Sequence, residues 1–266
     1  MRFATPLRPG RLIRRYMRFL ADVELEETGE VVTAHCPNPG AMLGLKEPGL
    51  RVWLERNDDP KRKLRWGWRL CDLPGGHRAG IDTGVPNRIV VEALAEGRVP
   101  ALAGQGEVRA EVRYGARSRV DFLIEGERRT WVEVKNVHLR REGDWAEFPD
   151  CVTERGARHL RELADMVRRG DRAVMLYVVQ RTDCARLRMA GDLDPAYAAA
   201  FDAARAEGVE MLCHGTEIGL EGVRLAGPLP VDAGPQAVHV TAVGQGSPVR
   251  RGWRSGSKGP RSSRES

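Results

Sequence analysis

Two stretches of the sequence set ionisable side chains into otherwise apolar strands. Ser118-Arg119-Val120-Asp121-Phe122-Leu123 carries one acid, Asp121. Trp131-Val132-Glu133-Val134-Lys135 carries an acid and a base two positions apart. Side chains alternate faces along a strand, so Glu133 and Lys135 share one face, and hairpin pairing of the two stretches sets Asp121 beside Glu133. Buried charges cost several kcal/mol unless they are paired or bind a metal.

Phosphodiester hydrolysis is the chemistry that uses such a set. Mg2+ or Mn2+ takes hard oxygen ligands, typically one or two carboxylates together with water and a substrate phosphate oxygen. Asp121 and Glu133 are the expected metal ligands. Lys135 is the cation that orients or deprotonates the attacking water and meets the charge developing on the phosphate. Composition favours that role: of 43 basic residues only Lys46, Lys61, Lys63, Lys135 and Lys258 are lysine. Arginine cannot give up a proton, so a lysine at this position has a chemical reason. The plain alternative is a salt bridge on a solvated face, since Glu-x-Lys often recurs by chance. The acid strand upstream and the helices on either side favour the metal site.

The elements that must position these residues follow from periodicity. Asn87–Glu96 is helical, with Ile89, Val90, Ala93 and Leu94 on the buried face. Glu107–Tyr114, Arg119–Glu125 and Thr130–His138 read as strands whose short connections make an antiparallel meander. A helix over Thr153–Arg169 follows, then a buried strand at Ala173–Val179, a helix over Pro195–Glu207 stopped by Gly208, and a last strand at Val209–Cys213. This order gives an α/β domain over residues 86–236.

Residues 1–85 read differently. Short strands are expected at Arg11–Glu24, Val31–His35, Leu50–Glu55, Arg62–Asp72 and Arg78–Ile81, separated by Gly/Pro turns. Cys36-Pro37-Asn38-Pro39-Gly40 must be loop, because prolines cannot sustain a ladder there. Five strands in so short a span imply a compact barrel. In the fourth, Leu64, Trp66, Trp68 and Leu70 alternate with Lys63, Arg65 and Arg69, so one face packs inward and the other offers cations. Arg14, Tyr16 and Arg18 share a face of the first. An aromatic ring between arginines can stack a base while the cations hold phosphates. The same residues would serve equally as a strand edge dressed for solubility. Arg14, Tyr16, Arg18, Lys63 and Arg65 are the candidate nucleic-acid contacts.

The formal charge of +6 says little about the body. Ser247–Ser266 carries six cations against Glu265, a net of +5, in a Gly/Ser/Arg-rich segment expected to be disordered over 237–266. Five scattered cysteines without a Cys-x-x-Cys support neither zinc nor a disulfide framework. The six histidines lack metal-site spacing. His159 can face the cleft, although a core or surface position is the plainer reading. No apolar run is long enough to span a membrane, and arginines stand where a signal peptide needs its apolar segment, so a cytoplasmic protein is expected.

Several longer motifs occur in order. They are Leu12-Ile13-Arg14-Arg15-Tyr16 with Arg18-Phe19-Leu20-Ala21-Asp22-Val23, then His35-Cys36-Pro37-Asn38-Pro39-Gly40-Ala41-Met42, then Tyr114-Gly115-Ala116-Arg117-Ser118-Arg119-Val120-Asp121-Phe122. Glu133-Val134-Lys135 and Phe148-Pro149-Asp150 with Val152-Thr153-Glu154-Arg155-Gly156 complete the set. By these the chain resembles the sugar fermentation stimulation protein A family over roughly residues 3–232. The resemblance implies an OB-like N-terminal domain and a C-terminal α/β domain like the restriction-endonuclease-like PD-(D/E)XK nucleases. It also implies DNA binding and a regulatory role in sugar (maltose) metabolism. The nuclease motif maps onto Asp121, Glu133 and Lys135, with Val120 where the motif has its nominal proline. A helix acid used by some such nucleases maps onto Glu92, or else Glu96. Glu154 is a further possible site residue, although an acid in a first helical turn is stabilising in itself. The expectation is therefore a DNA-binding, metal-dependent nuclease, with RNA as a possible substrate. The alternative is a non-catalytic DNA-binding regulator of sugar-metabolism genes.

Overall fold

The computed structural model describes residues 1–114 and 118–232; the expected disorder of 237–266 concerns residues outside that range. The N-terminal strands are β1 (Leu7–Tyr16), β2 (Leu20–Leu25), β3 (Val31–His35), β4 (Arg51–Arg56) and β5 (Trp66–Asp72). They run in the order β3-β2-β1-β4-β5, and a parallel pairing of Ala34 with Trp66 and His35 with Gly67 closes them into a five-strand barrel. A short sixth strand, β6 (Arg78–Gly80), extends β5. Alternation fills the interior: Leu12, Val23, Val52, Leu54 and Trp68 are buried together.

Two of the expected strands need correction. Arg11–Glu24 is a hairpin, not one strand, with Tyr16 opposite Leu20. Its turn carries Met17 and Arg18 at φ 48° and 62°, left-handed values usually taken by Gly or Asn, so no turn residue announces it. Arg18 therefore lies in the turn and not on the face of β1 with Arg14. The fourth expected strand begins only at Trp66, because an Asx turn at Asp59 and a bond from Asn57 N to Arg65 O close residues 57–65 into a loop. Lys63 and Arg65 sit on that loop.

The second half runs α1 (Val85–Ala95), β7 (Glu107–Tyr114), β8 (Ser118–Glu125), β9 (Thr130–Val137), β10 (Trp145–Phe148), α2 (Glu154–Arg168), β11 (Arg172–Val179), β12 (Arg186–Met189), α3 (Pro195–Ala206), β13 (Glu210–Ile218) and β14 (Val223–Pro228). Its sheet has the order β14-β13-β11-β9-β8-β7. β7, β8 and β9 form the antiparallel meander, while β9, β11 and β13 are parallel. The parallel strands are buried on both faces, against α1 on one side and α2 with α3 on the other. β10 and β12 make a separate two-stranded parallel sheet, and neither they nor β14 are legible in the sequence. The two short strands mix arginine and acid with apolar residues and give no periodic signal.

Barrel and α/β half form one compact unit, Met1–Gly234. Leu7, Trp53 and Leu70 leave the barrel interior and join the core under α1. A bulge in the β4–β5 ladder near Trp53 and Leu54 makes that possible, because it switches the face each strand presents. Gly80 N–H donates to Gln180 O at 3.0 Å across the seam, so closely that a Cβ on Gly80 would lie 2.6 Å from Gln180 Oε1. Arg69, expected on an outward basic face, is instead held between Glu55 and Asp82 at 2.8 and 2.7 Å. Among the described residues no helix is long and apolar enough to cross a membrane.

Candidate active site

The β8–β9 ladder pairs Ile124 with Thr130, Leu123 with Trp131 and Phe122 with Val132, then stops one residue short of Asp121. There the Asp121 side chain takes over from the backbone, and the Val134 N–H donates to its Oδ2 at 2.7 Å. Its other oxygen accepts from Asn87 Nδ2 at 2.7 Å, reaching across from α1. Next to it Glu133 is 3% exposed. Lys135 Nζ donates to Glu133 Oε1 at 2.7 Å, and His159 Nδ1 on α2 makes a short contact with the same oxygen. Arg155 Nε donates to His159 Nε2 at 3.3 Å, which leaves the ring proton on Nδ1, directed at Glu133.

Glu133 Oε2 is buried with no hydrogen-bond partner among the described residues, as are Glu162 Oε2 and Tyr114 Oη nearby. A carboxylate oxygen left dry and unpaired costs more than a hydrogen bond is worth, so a water or a ligand is expected to satisfy it. The acids open onto a pocket of about 380 Å³ lined by Glu111, Ser118, Arg119, Asp121, Glu133, Arg155 and Arg158.

The electrostatics separate the two central acids. Burial, and then the charge of Glu133, push Asp121 up to about 6. Burial also pushes Glu133 upward, but the His159 hydrogen bond and the Lys135 charge outweigh it and hold the carboxyl below its ordinary value. Burial and the charges of Glu133, Glu162 and Asp121 push the Tyr114 phenol upward.

The donor set suits a hard divalent cation. Asp121, Glu133 and Glu111 offer only oxygen to the pocket, and one oxygen of Glu133 has no other partner. Among the described residues no three His, Cys, Asp or Glu side chains are gathered into a ready cage. Mg2+ does not need one, since one or two carboxylates suffice when water and a phosphate complete the shell.

Of the residues expected in the site, Asp121, Glu133 and Lys135 are brought together, and Glu92 is not. Glu92 turns to the opposite side of α1, where it binds the Met1 ammonium at 2.5 Å. Asn87 is the α1 residue that reaches Asp121, and Glu92, five residues on, points about 140° away from it around the helix. Glu96 pairs with Arg98 at 2.5 Å, and Glu154 is exposed in the first turn of α2, outside the pocket lining.

Sequence reasoning misses Asn87 and Glu111 and gives His159 too little weight. Glu111 stands at φ 54°, a strained left-handed value for a non-glycine residue, where β7 passes Asp121. Nothing distinguishes it in sequence from Glu107 on the same strand. His159 carries a usable signal: it lies one turn after Arg155 on the face of α2 that meets β9.

In the barrel, Arg14 Nε binds Asp22 Oδ2 at 2.8 Å, and its guanidinium lies 4.7 Å from the Tyr16 ring centre. Tyr16 Oη and Thr33 Oγ1 both donate to Asp22 Oδ1, so Arg14 and Tyr16 form part of a closed cluster on the barrel wall. The Lys63 and Arg65 side chains are exposed and have no partner among the described residues.

Comparison with known proteins agrees with this architecture. Residues 84–222 match the family model described as "Sugar fermentation stimulation protein RE domain", and residues 13–81 match "SfsA N-terminal OB domain". A sugar fermentation stimulation protein homolog of Jannaschia sp. is 67% identical over 240 residues, 89% of this chain and 99% of its own. One of Dinoroseobacter shibae is 68% identical over 239 residues, 89% of this chain and 98% of its own. The structure of Pyrococcus furiosus SfsA in complex with Ca2+ matches with a TM-score of 0.78 at 29% identity, covering 87% of this chain and 98% of that one. With both halves matched in order and relatives aligned over nearly their whole length, the chain belongs to the sugar fermentation stimulation protein family.

Proposed function

We propose that this protein binds DNA and hydrolyses its phosphodiester bonds, or those of RNA, with Mg2+ or Mn2+. The observation that carries the reading is the pairing of Asp121 and Glu133 on one pocket, with Lys135 beside them and one Glu133 oxygen buried without a partner. A hard cation held by Asp121 and Glu133 would supply polarisation of the phosphate and acidification of the attacking water. Asn87 and the Val134 N–H fix the Asp121 carboxylate, so it needs little reorganisation to serve. His159 from α2 and Lys135 from β9 itself fix Glu133. Lys135, beside Glu133, would meet charge that develops on the phosphate, and Arg119, Arg155 and Arg158 line the pocket with further positive charge. The Pyrococcus furiosus relative was solved with Ca2+, a cation of the same oxygen-preferring class, which supports the choice of metal.

One observation favours a second reading. The exposed, unpaired Lys63 and Arg65 sit on the barrel, and DNA binding there would serve a regulator of sugar-metabolism genes without cleavage. A divalent-metal cleavage assay on single- and double-stranded DNA and RNA separates the two. Cleavage that requires Mg2+ or Mn2+ and disappears in Glu133→Gln is the expected result. Binding without cleavage of any of the four substrates leaves the regulator.

A further inference from the structure

Among the described residues many arginines are committed to carboxylates. Arg14 holds Asp22, Arg172 holds Glu210, and Arg141 and Arg188 share Glu147. Around α2 the pattern breaks. Arg113, Arg119, Arg129, Arg155, Arg158 and Arg169 are all exposed, and none has a carboxylate partner among the described residues. Arg155 donates only to the His159 ring.

Their placement is ordered. Arg113 on β7 pairs directly with Arg119 on β8, which sets two like charges roughly 5 Å apart on one face with no acid between them. Such a pair is destabilising by itself and becomes favourable once an anion bridges it. Arg119 lines the acid pocket, and Arg113 lines a second pocket of about 830 Å³. Arg129 and Arg169 also line that second pocket, over buried Trp131 and Tyr114. Arg128 donates to Gly170 O and Asp171 O at 3.0 and 2.9 Å, tying the β8–β9 turn to the end of α2 and fixing the pocket wall. Glu127 and Asp171 are the pocket's acids, and Asp171 already accepts the Trp131 Nε1–H at 2.9 Å, so cations outnumber acids there.

Arg155 and Arg158 on α2 and Arg169 at its C-cap fall on one stripe, facing the two pockets in turn, and span about 21 Å of helix axis. A nucleic-acid strand advances about 3.4 Å per phosphate, so the stripe matches roughly six phosphates. Trp131 and Tyr114 are too buried to stack a base.

We infer that the second pocket, formed by Arg113, Arg129 and Arg169, is a phosphate-binding site for a polynucleotide strand that runs along α2 from the acid pocket. It grips backbone and not bases. The inference rests on the nucleic-acid reading above and adds where, beyond the cleavage site, the strand is held.

The test uses the full chain in EDTA and a fluorescein-labelled single-stranded DNA 12-mer, with binding followed by anisotropy across a salt series. In Arg113→Gln/Arg129→Gln/Arg169→Gln the slope of log K against log salt should fall by about 0.7 for each phosphate no longer neutralised, roughly 2 in all. None of the three side chains has a carboxylate partner, and Arg113→Gln relieves a like-charge pair, so the thermal midpoint should not fall. If the triple variant melts early, Arg129→Gln alone carries the test, with a slope change of about 0.7. Equal affinity and slope in variant and wild type overturn the inference, as does a wild type that does not bind. So does inorganic phosphate that displaces the 12-mer at an equal concentration of phosphate groups, which would mark a small-anion pocket. Cleavage of the same 12-mer by wild type in Mg2+ reads the nuclease proposal separately. Weakened variant binding without wild-type cleavage leaves this site standing and removes the nuclease. Cleavage with undiminished variant binding does the reverse.

Discussion

Two buried glutamates in the α/β half show opposite treatment of the same group. Glu147, on the small β10–β12 sheet, is 1% exposed and is closed in by Arg141 and Arg188, each within 2.9 Å. Burial pushes it up, but the two guanidinium groups hold it below its ordinary value. Arg141 continues to Asp192 and Arg188 to Glu142, so every charge in that region is answered. Glu133 is as deeply buried, yet one of its oxygens has no partner, and its neighbour Asp121 is pushed up by burial and by Glu133 itself. A charge kept for structure is neutralised by the fold. In the proposed reading, Glu133 is kept for chemistry, and its unanswered oxygen costs stability that a bound ligand can recover.

Exchanging the roles of the two glutamates is the largest expected break in that contrast. Glu133→Gln should lower metal-dependent cleavage by about 10²-fold or more, with a loss of stability smaller than that of Glu147→Ala, because Gln keeps an acceptor for Lys135 and His159. Glu147→Ala should do the opposite. Removing the shared partner of two arginines costs about 3–5 kcal/mol where all groups are buried. Arg141 and Arg188 are about a third exposed at 34% and 29%, so a destabilisation of about 2 kcal/mol is expected, with cleavage by the folded fraction unchanged. Urea denaturation and single-turnover rates on both variants check this. A Glu133→Gln protein that unfolds early and a Glu147→Ala protein that does not would reverse the assignment.

A smaller effect should appear in the pH dependence. Asp121, pushed up to about 6, binds its proton more tightly when folded than when unfolded. Between about pH 4 and 6 this group therefore contributes stability that is lost as pH rises through that window, on the order of 2 kcal/mol in EDTA. Asp121→Asn should remove this fall. Adding Mg2+ at pH 7 should restore stability to wild type but not to Asp121→Asn. A stability difference between wild type and Asp121→Asn that is the same at pH 4.5 and pH 7 in EDTA counts against the burial cost assigned to this carboxyl.

The smallest effect extends the contrast to the barrel. Lys63 and Arg65 have no partners among the described residues, whereas Arg14 is held by Asp22. Lys63→Gln/Arg65→Gln should flatten the salt dependence of duplex DNA binding by up to about 0.9 for each phosphate no longer neutralised. Arg14→Gln should change that slope less and disturb the Asp22 cluster instead. Salt titrations on both variants decide it, and a larger slope change in Arg14→Gln would mean that the ion pair opens to bind.

Much of this organisation is legible in the sequence because strands have a strict period of two. A lone acid in Val120-Asp121-Phe122 and the alternation Glu133-Val134-Lys135 can be assigned to faces without coordinates, since a slip of one residue would bury the wrong set. The helix α2 and the buried strand β11 are readable for similar reasons, as a run at helical spacing and an unbroken apolar stretch. Helix α1 is equally readable as a helix, but its sequence does not say which of its polar residues meets the sheet. An acid is the expected choice there, which points to Glu92 and passes over Asn87. The β1–β2 turn is hidden because Met17 and Arg18 hold conformations their side chains do not favour.

The sequence by itself determined which residues are costly to bury, and therefore that Asp121, Glu133 and Lys135 needed partners. Local periodicity and the cost of desolvation are properties of a short stretch of chain. Only the tertiary structure decided who the partners are. Asn87 reaches Asp121 because of the angle at which α1 lies on the sheet, and His159 reaches Glu133 because α2 packs over β9. The strained backbone at Glu111 belongs to the same class, as do the unpaired arginines collected along α2. Contacts between elements far apart in the chain depend on packing angles and ladder endings, which no local pattern of residues encodes.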